Sequence, residues 1–179
     1  MISIDLSTIR SWDRFYRANF INCLSGYKSA HLIGTISKEG IPNLAIFSNI
    51  VHLGADPALI GFINRPKAAA PDTIRNIEET GVFTMNHIHP SMIKQAHQTS
   101  AKYDSEINEF EMVGFSEFYK QNCIAPFVAE SRVQYQLSLA DIIPIPRNGT
   151  FLVTGLLEQV HLAEDYIQAD GNIPLEKYE

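Results

Sequence analysis

The stretch IPNLAIFSNIVHLGADPALIGF, residues 41–62, determines how the rest of the chain is interpreted. It consists of two apolar segments of the kind that form β-strands, with small polar side chains between them. Four polar residues stand where we expect burial: Asn43, Ser48, Asn49 and His52. Buried polar groups need hydrogen-bond partners, so the partner is either the protein itself or a molecule bound to it.

The composition restricts both the fold and the function. A chain of 179 residues with 45% hydrophobic and 19% charged residues predicts one globular domain over residues 1–179. The net charge of −6 and the absence of a basic run argue against a nucleic-acid partner. No apolar run approaches the roughly 20 residues of a membrane helix, and the N-terminus has no signal-peptide core. We therefore expect a cytoplasmic protein without a membrane partner.

Secondary structure can be predicted outward from residues 41–62. Residues 30–53 indicate a hairpin that turns at Gly40, and residues 58–64 and 82–88 indicate buried strands. Residues 71–81 predict a helix with Pro71 in its first turn and Gly81 after its end. Two long strands follow at 132–145 and 149–167, the second bent at Gly155. An N-terminal helix over 7–21, capped by Ser7 or Ser11, would place five residues on one face: Ile9, Trp12, Phe15, Tyr16 and Phe20.

About six short, hairpin-linked strands favour an antiparallel barrel with accessory helices over a doubly wound sheet. No GxGxxG motif follows a strand, so the sequence gives no sign of a Rossmann dinucleotide site. Neither Cys23 nor Cys123 has a setting typical of a nucleophile. We expect both to be ordinary buried thiols.

Two segments could bind a ligand. The start of the helix at 71–77 could bind an anion through free N–H groups, with Thr73 adding a hydroxyl and Arg65 or Arg75 adding charge. The alternative is an ordinary helix cap. In the strand at 42–48, one face carries Asn43, Ala45 and Phe47, and the other carries Leu44, Ile46 and Ser48. Neither face is cleanly apolar, which indicates either a ligand or polar groups satisfied within the core.

Three histidines cluster at His87, His89 and His97. His87 and His89 would share one face of a strand, so a metal is conceivable. No further ligand has matching spacing, however, and we expect no metal site.

Five segments, taken together and in this order, carry a family resemblance: residues 41–62, 72–86, 99–115, 128–137 and 155–161. They resemble the flavin reductase-like family with an FMN-binding split barrel, in the branch of flavoredoxin and the reductase component of nitrilotriacetate monooxygenase. The resemblance covers about residues 20–175. It implies a mainly β fold with accessory helices, a split β-barrel of the antiparallel Greek-key type.

The resemblance also implies a homodimer with FMN at its interface. Residues near the flavin ring and ribityl chain would be Asn43, Leu44, Ala45, Ser48 and Asn49, with Asn86 approaching from another strand; those near the phosphate would be Arg65, Asp72 and Thr73. NADH or NADPH would donate a hydride to flavin N5, and His89 or His97 would line the nicotinamide side. An electron acceptor or a partner monooxygenase would take the electrons.

The chain departs from the family pattern in three places. Arg132, Gln136 and Leu137 replace a proline, a glutamate and a cysteine, and Pro71 replaces a lysine. The tail at 168–179 ends where family members often continue into an Arg-Leu-Gly-Gly-x-x-Tyr segment, so either that segment is absent or the natural chain continues. Two alternatives to the reductase stay open: a non-catalytic FMN-binding electron-transfer or carrier protein, and a split-barrel dimer whose ligand is not a flavin.

Overall fold

The computed structural model describes residues 1–68 and 71–177. Five α-helices lie in these residues: α1 Leu6–Ser11, α2 Arg14–Cys23, α3 Pro71–Thr80, α4 Ile93–Gln98 and α5 Glu109–Val113. The nine strands of the same residues are β1 His31–Ile36, β2 Pro42–Phe47, β3 Ile50–Ala55, β4 Ala58–Asn64, β5 Val82–His87, β6 Glu117–Phe118, β7 Phe127–Val128, β8 Gln134–Ile145 and β9 Thr150–His161. Short 3₁₀ turns occur at Pro90–Met92, Glu164–Tyr166 and Leu175–Lys177.

Seven strands form one antiparallel sheet in the order β2-β1-β5-β8-β9-β4-β3. The strands β6 and β7 form a separate two-stranded sheet. The predicted mainly antiparallel β fold with accessory helices is confirmed, although the sheet does not close into a complete barrel.

The two edges of the seven-stranded sheet are consecutive in the chain. β2 ends at Phe47 and β3 begins at Ile50, so only Ser48 and Asn49 connect the two edge strands. Phe47 and Ile50 are three Cα steps apart and therefore lie within about 11 Å of each other, whereas a flat seven-stranded sheet is roughly 28 Å wide. The sheet must therefore curl until its edges almost meet, and the split of the barrel lies beside residues 48 and 49.

Each face of the strand β2 contributes apolar side chains to a hydrophobic core. Ala45 and Phe47 pack in the core inside the curled sheet, together with aromatic residues such as Phe62. Leu44 and Ile46 point the other way, into a second core that α4 and α5 complete. The predicted alternation along this strand is confirmed.

Gly155 lies where β9 is packed closest against its neighbours. A Cβ atom there would stand 2.6 Å from Cζ of Phe83 and 2.9 Å from Cβ of Leu137. The register of β8 shifts between Leu139 and Asp141, directly opposite this glycine. The lack of a side chain therefore lets the two long strands cross the core at close range.

The predicted N-terminal helix at 7–21 is two helices. Trp12 has an extended ψ of 154°, and Asp13 caps α2 by accepting from the backbone N–H groups of Phe15 and Tyr16. Asp5, rather than Ser7 or Ser11, caps α1. An aspartate side chain is a strong N-cap, and a second one inside the periodic segment starts a new helix.

Four further expectations need correction. The hairpin that turns at Gly40 is formed by β1 and β2 alone, because residues 50–55 pair with β4 instead. The last long strand ends at His161, not at residue 167. Cys123 is buried but Cys23 is exposed. The two-residue strands β6 and β7 were not predicted, since such short strands carry no periodicity. The predicted tail at 168–179 can be compared with the structure only as far as residue 177. None of the helices in the described ranges has the length and apolar character needed to cross a membrane.

Candidate functional site

A cleft of about 400 Å³ lies at the split of the barrel, between β2, the start of α3 and the segment that joins α4 to α5. Seven of the nine predicted binding residues line it: Asn43, Ala45, Ser48, Asn49, Arg65, Asp72 and Thr73. Residues 99–105 and Glu109 form the opposite wall. Strand β2 with its link at 48–49, the start of α3 and the segment at 99–109 come from three separate parts of the chain, and the fold brings them together.

A buried hydrogen-bond network fixes the start of α3 against the sheet. The amide nitrogen of Asn43 donates to Oγ1 of Thr35 at 3.0 Å and to Oγ1 of Thr73 at 3.2 Å. The amide of Asn76 also donates to Thr35, at 3.2 Å. All four residues are buried. Since the oxygen of Thr73 accepts from Asn43, its own hydroxyl hydrogen is free to donate to a ligand in the cleft.

The polar residues of the stretch 41–62 therefore fall into two groups, one buried and one exposed. Asn43 is buried, and its amide nitrogen donates to two threonine hydroxyls of the protein. Ser48, Asn49 and His52 are exposed in the single chain, contrary to the expectation of burial. Ser48 and Asn49 form the link between the sheet edges, and their side chains make no hydrogen bond within the described residues, so both can bond to a ligand in the cleft.

Positive charge reaches the cleft through Arg65, Arg75 and Lys102. Asp72 is engaged by Arg75 at 2.7 Å, and Lys67 is held by Glu78 at 2.6 Å, with both side chains of that pair largely exposed. Arg65 is exposed and forms no ion pair with any described residue. The ten-residue α3 adds its free N–H groups and the positive end of its dipole.

Glu109 is a cleft residue that the sequence interpretation missed. Its Oε2 accepts from the backbone N–H of Leu44 at 3.2 Å. Partial burial raises the pKa of Glu109 to about 7, helped by the negative charge of Asp72 and opposed by the hydrogen bonds from its own N–H and from Leu44. Glu109 lies in the segment 99–115 that carries part of the family resemblance, but 65 positions separate it from Leu44, and only the folded chain shows that they meet.

Two predicted binding residues lie outside the cleft. The side chain of Leu44 is in the core beneath α5. Asn86 is fully buried, where its amide donates to the carbonyl of Leu32 and to Thr84, both at 3.1 Å, and accepts from the N–H of Val128 at 3.0 Å. Its amide connects β5 to β1 and β7, so its bonding groups are already engaged within the protein.

The histidines do not form a common site. His87 is the last residue of β5 and packs edge-on against His31, with ring centroids 4.5 Å apart. His89 lies beyond the strand and caps the turn at Pro90–Met92, while His97 is exposed on α4. Neither His89 nor His97 lines the cleft. Residues 1–68 and 71–177 contain no group of three or more His, Cys, Asp or Glu side chains placed to hold a metal.

Comparison with known proteins places the chain in a family and relates its fold to solved structures. Residues 26–175 match the model of the flavin reductase like domain. The structure is similar to that of a candidate flavin reductase with a split barrel domain from Shewanella frigidimarina, with 42% identity, a TM-score of 0.95, and coverage of 99% of this chain and 88% of that one.

Two more distant structures share the fold. Nitrilotriacetate monooxygenase component B from Bacillus cereus is 22% identical, with a TM-score of 0.86 and coverage of 99% and 88% of the two chains. Flavoredoxin from Desulfovibrio vulgaris is also 22% identical, with a TM-score of 0.74 and coverage of 87% and 80%. At this level of identity the likeness concerns the fold alone.

Proposed function

Because the chain belongs to the flavin reductase-like family, we propose that it binds FMN in the cleft between β2 and α3 and passes electrons from NADH or NADPH to that flavin. The family and the split-barrel fold indicate a flavin-related redox function. One observation supports FMN as the ligand in particular. A single cleft contains a helix N-terminus that suits a phosphate and a polar strand end that suits a flat heterocycle.

The phosphate end of the proposed site is the start of α3. Its free N–H groups, the hydroxyl of Thr73 and the guanidinium of Arg65 all suit a dianionic phosphate. The ion pair of Asp72 with Arg75 limits the repulsion that the Asp72 carboxylate would otherwise exert. These residues fit the phosphate of FMN.

The ring end is the strand end at residues 45–49. Ala45 is small enough for a planar ring to approach the backbone, and Ser48 and Asn49 offer donors and acceptors that the protein does not use. A volume of about 400 Å³ in one chain falls within the usual range of cofactor sites.

The chemistry of the proposed reaction would come from the cofactor. When bound, FMN supplies a two-electron acceptor for the hydride of a nicotinamide. The residues of the chain orient the ring through Ser48 and Asn49 and anchor the phosphate through Thr73 and Arg65. The segment at 99–105 forms the far wall of the cleft.

We also propose that the protein is a homodimer with the cleft at its interface. The exposure of Ser48 and Asn49 supports this, as does the exposure of Val51 and Leu53 on the adjacent edge strand β3. A partner monooxygenase as electron acceptor is part of the same proposal, in line with the fold shared with nitrilotriacetate monooxygenase component B.

The direct test is to follow oxidation of NADH and NADPH at about 340 nm with and without added FMN, alongside FMN binding measured by quenching of its fluorescence. The proposal predicts FMN binding and FMN-dependent oxidation of at least one nicotinamide. Binding without oxidation would instead support a non-catalytic electron-transfer or carrier protein. No binding would show that the cleft serves a different ligand.

A further inference from the structure

Glu109 places a carboxyl group in the cleft without a counter-ion. It opens the short helix α5, for which Asn108 is the cap, and its Oε2 accepts one hydrogen bond, from the N–H of Leu44. Within the described ranges it forms no ion pair. The charged groups that share its cleft are Asp72 and Arg75 on α3, Arg65 after β4, and Lys102 and Asp104 in the preceding segment, with the phenol of Tyr103 beside them.

This setting disfavours the charged form of the carboxyl group. The side chain is half-buried, the same cleft holds a second carboxylate at Asp72, and Arg75 is already bonded to Asp72. The N–H groups of Glu109 itself and of Leu44 offset only part of the lost hydration. The pKa of Glu109 is accordingly raised to about 7, so the group is divided between its two forms at neutral pH.

A phosphate-bearing ligand would change this balance. An anion at the start of α3 adds negative charge to the cleft that Glu109 lines, which favours the neutral carboxyl group. The neutral form also carries an O–H donor, whereas the ionised form can only accept hydrogen bonds. Protonation therefore removes a repulsion and creates a donor in the same step.

We propose that Glu109 is a ligand-binding residue that takes up a proton when an anionic flavin nucleotide enters the cleft and donates the resulting O–H hydrogen bond to it. This inference rests on the proposed function. It makes binding depend on pH: the nucleotide binds tightly when Glu109 is protonated and loosely when it is ionised.

The size of the effect follows from the free-state pKa of about 7. If only the protonated form is competent to bind, the apparent Kd scales with the inverse of the protonated fraction, so it should increase about 15-fold between about pH 7 and pH 8.5. In this range the ligand phosphate, with a second pKa of roughly 6, stays almost entirely dianionic. A change in Kd therefore reports on the protein.

The experiment is a calorimetric titration of FMN into the full chain at both pH values, repeated at neutral pH in two buffers of different ionisation enthalpy. The wild-type protein should show the Kd increase and take up roughly half a proton per FMN bound at neutral pH. Glu109→Gln keeps an acceptor for the Leu44 N–H and a donor for the ligand, so its Kd should change less than about twofold across the range. Glu111→Gln removes the same charge from an exposed position on the same helix and should behave as the wild type.

The outcomes separate the two claims. FMN binding with a pH-independent Kd in the wild type, or pH dependence that persists in Glu109→Gln, would overturn the role of Glu109 and leave the proposed function intact. Loss of the pH dependence in Glu111→Gln would show a general charge effect and also overturn it. Absence of FMN binding at either pH would refute the proposed function and this inference with it. Thermal denaturation of each variant would verify that it is folded.

Discussion

Replacing Thr73 with valine tests the phosphate end of the cleft with little change in shape. Valine has almost the volume of threonine but cannot accept from Asn43 or donate to a ligand. The Asn43 amide keeps its bond to Thr35 at 3.0 Å, so the free protein loses one neutral hydrogen bond. The second hydrogen of the buried Asn43 amide is then left without an acceptor, which costs about 1–3 kcal/mol and lowers the Tm by roughly 2–4 °C per kcal/mol for a chain of this size.

The effect on the ligand comes from the loss of a hydrogen bond to a charged group. Such bonds contribute about 1.5–3 kcal/mol, so the Kd for FMN should increase roughly 10- to 150-fold. Fluorescence quenching gives the Kd, and thermal denaturation gives the Tm. Thr73→Ser keeps the hydroxyl and is the matched control, with an expected Kd within about threefold of the wild type. A valine variant that binds FMN within about twofold of the wild type would show that Thr73 does not face the phosphate.

Two further predictions concern the fold. Gly155→Ala should lower the free energy of unfolding by about 1–3 kcal/mol in denaturant titrations, because the new methyl group meets Phe83 and Leu137 at under 3 Å; an unchanged midpoint would contradict the close packing. Burial, with a smaller contribution from its neighbour His87, lowers the pKa of His31 from 6.5 to about 3. The folded state therefore binds fewer protons than the unfolded state at acidic pH. The contribution of His31 to the free energy of unfolding is fully present above pH 6.5. It decreases by about 1.4 kcal/mol for each pH unit between pH 6.5 and pH 3. Unfolding midpoints of His31→Phe should lack this part of the acid sensitivity, whereas replacing the exposed His52 should not change it; equal acid sensitivity in both variants would refute the assignment.

The sequence predicted well those features that depend on local patterns. The turn at Gly40 and the helix from Pro71 to Thr80 follow from residue types at fixed spacing. The family resemblance placed Thr73 and Ser48 in one site, and the structure brings both into the same cleft.

Features that depend on distant parts of the chain could not be predicted in the same way. Asn86 looked like a ligand-facing strand residue, but its side chain bonds to Leu32 and Val128, and the sequence does not show that pairing. Glu109 reaches the cleft only because α5 packs against β2. The break at Trp12 was missed because helical periodicity continues across it, while the Asp13 cap starts a new helix there.

The measurement that tests the central claim most directly is equilibrium dialysis of the protein against FMN, with the visible spectrum recorded on both sides of the membrane at about pH 7, where Glu109 is still substantially protonated. The account predicts excess flavin absorbance on the protein side, saturating with FMN concentration, and a loss of most of that excess in Thr73→Val. Equal flavin absorbance on both sides at every concentration would contradict the account and leave the cleft at the split of the barrel without its proposed ligand.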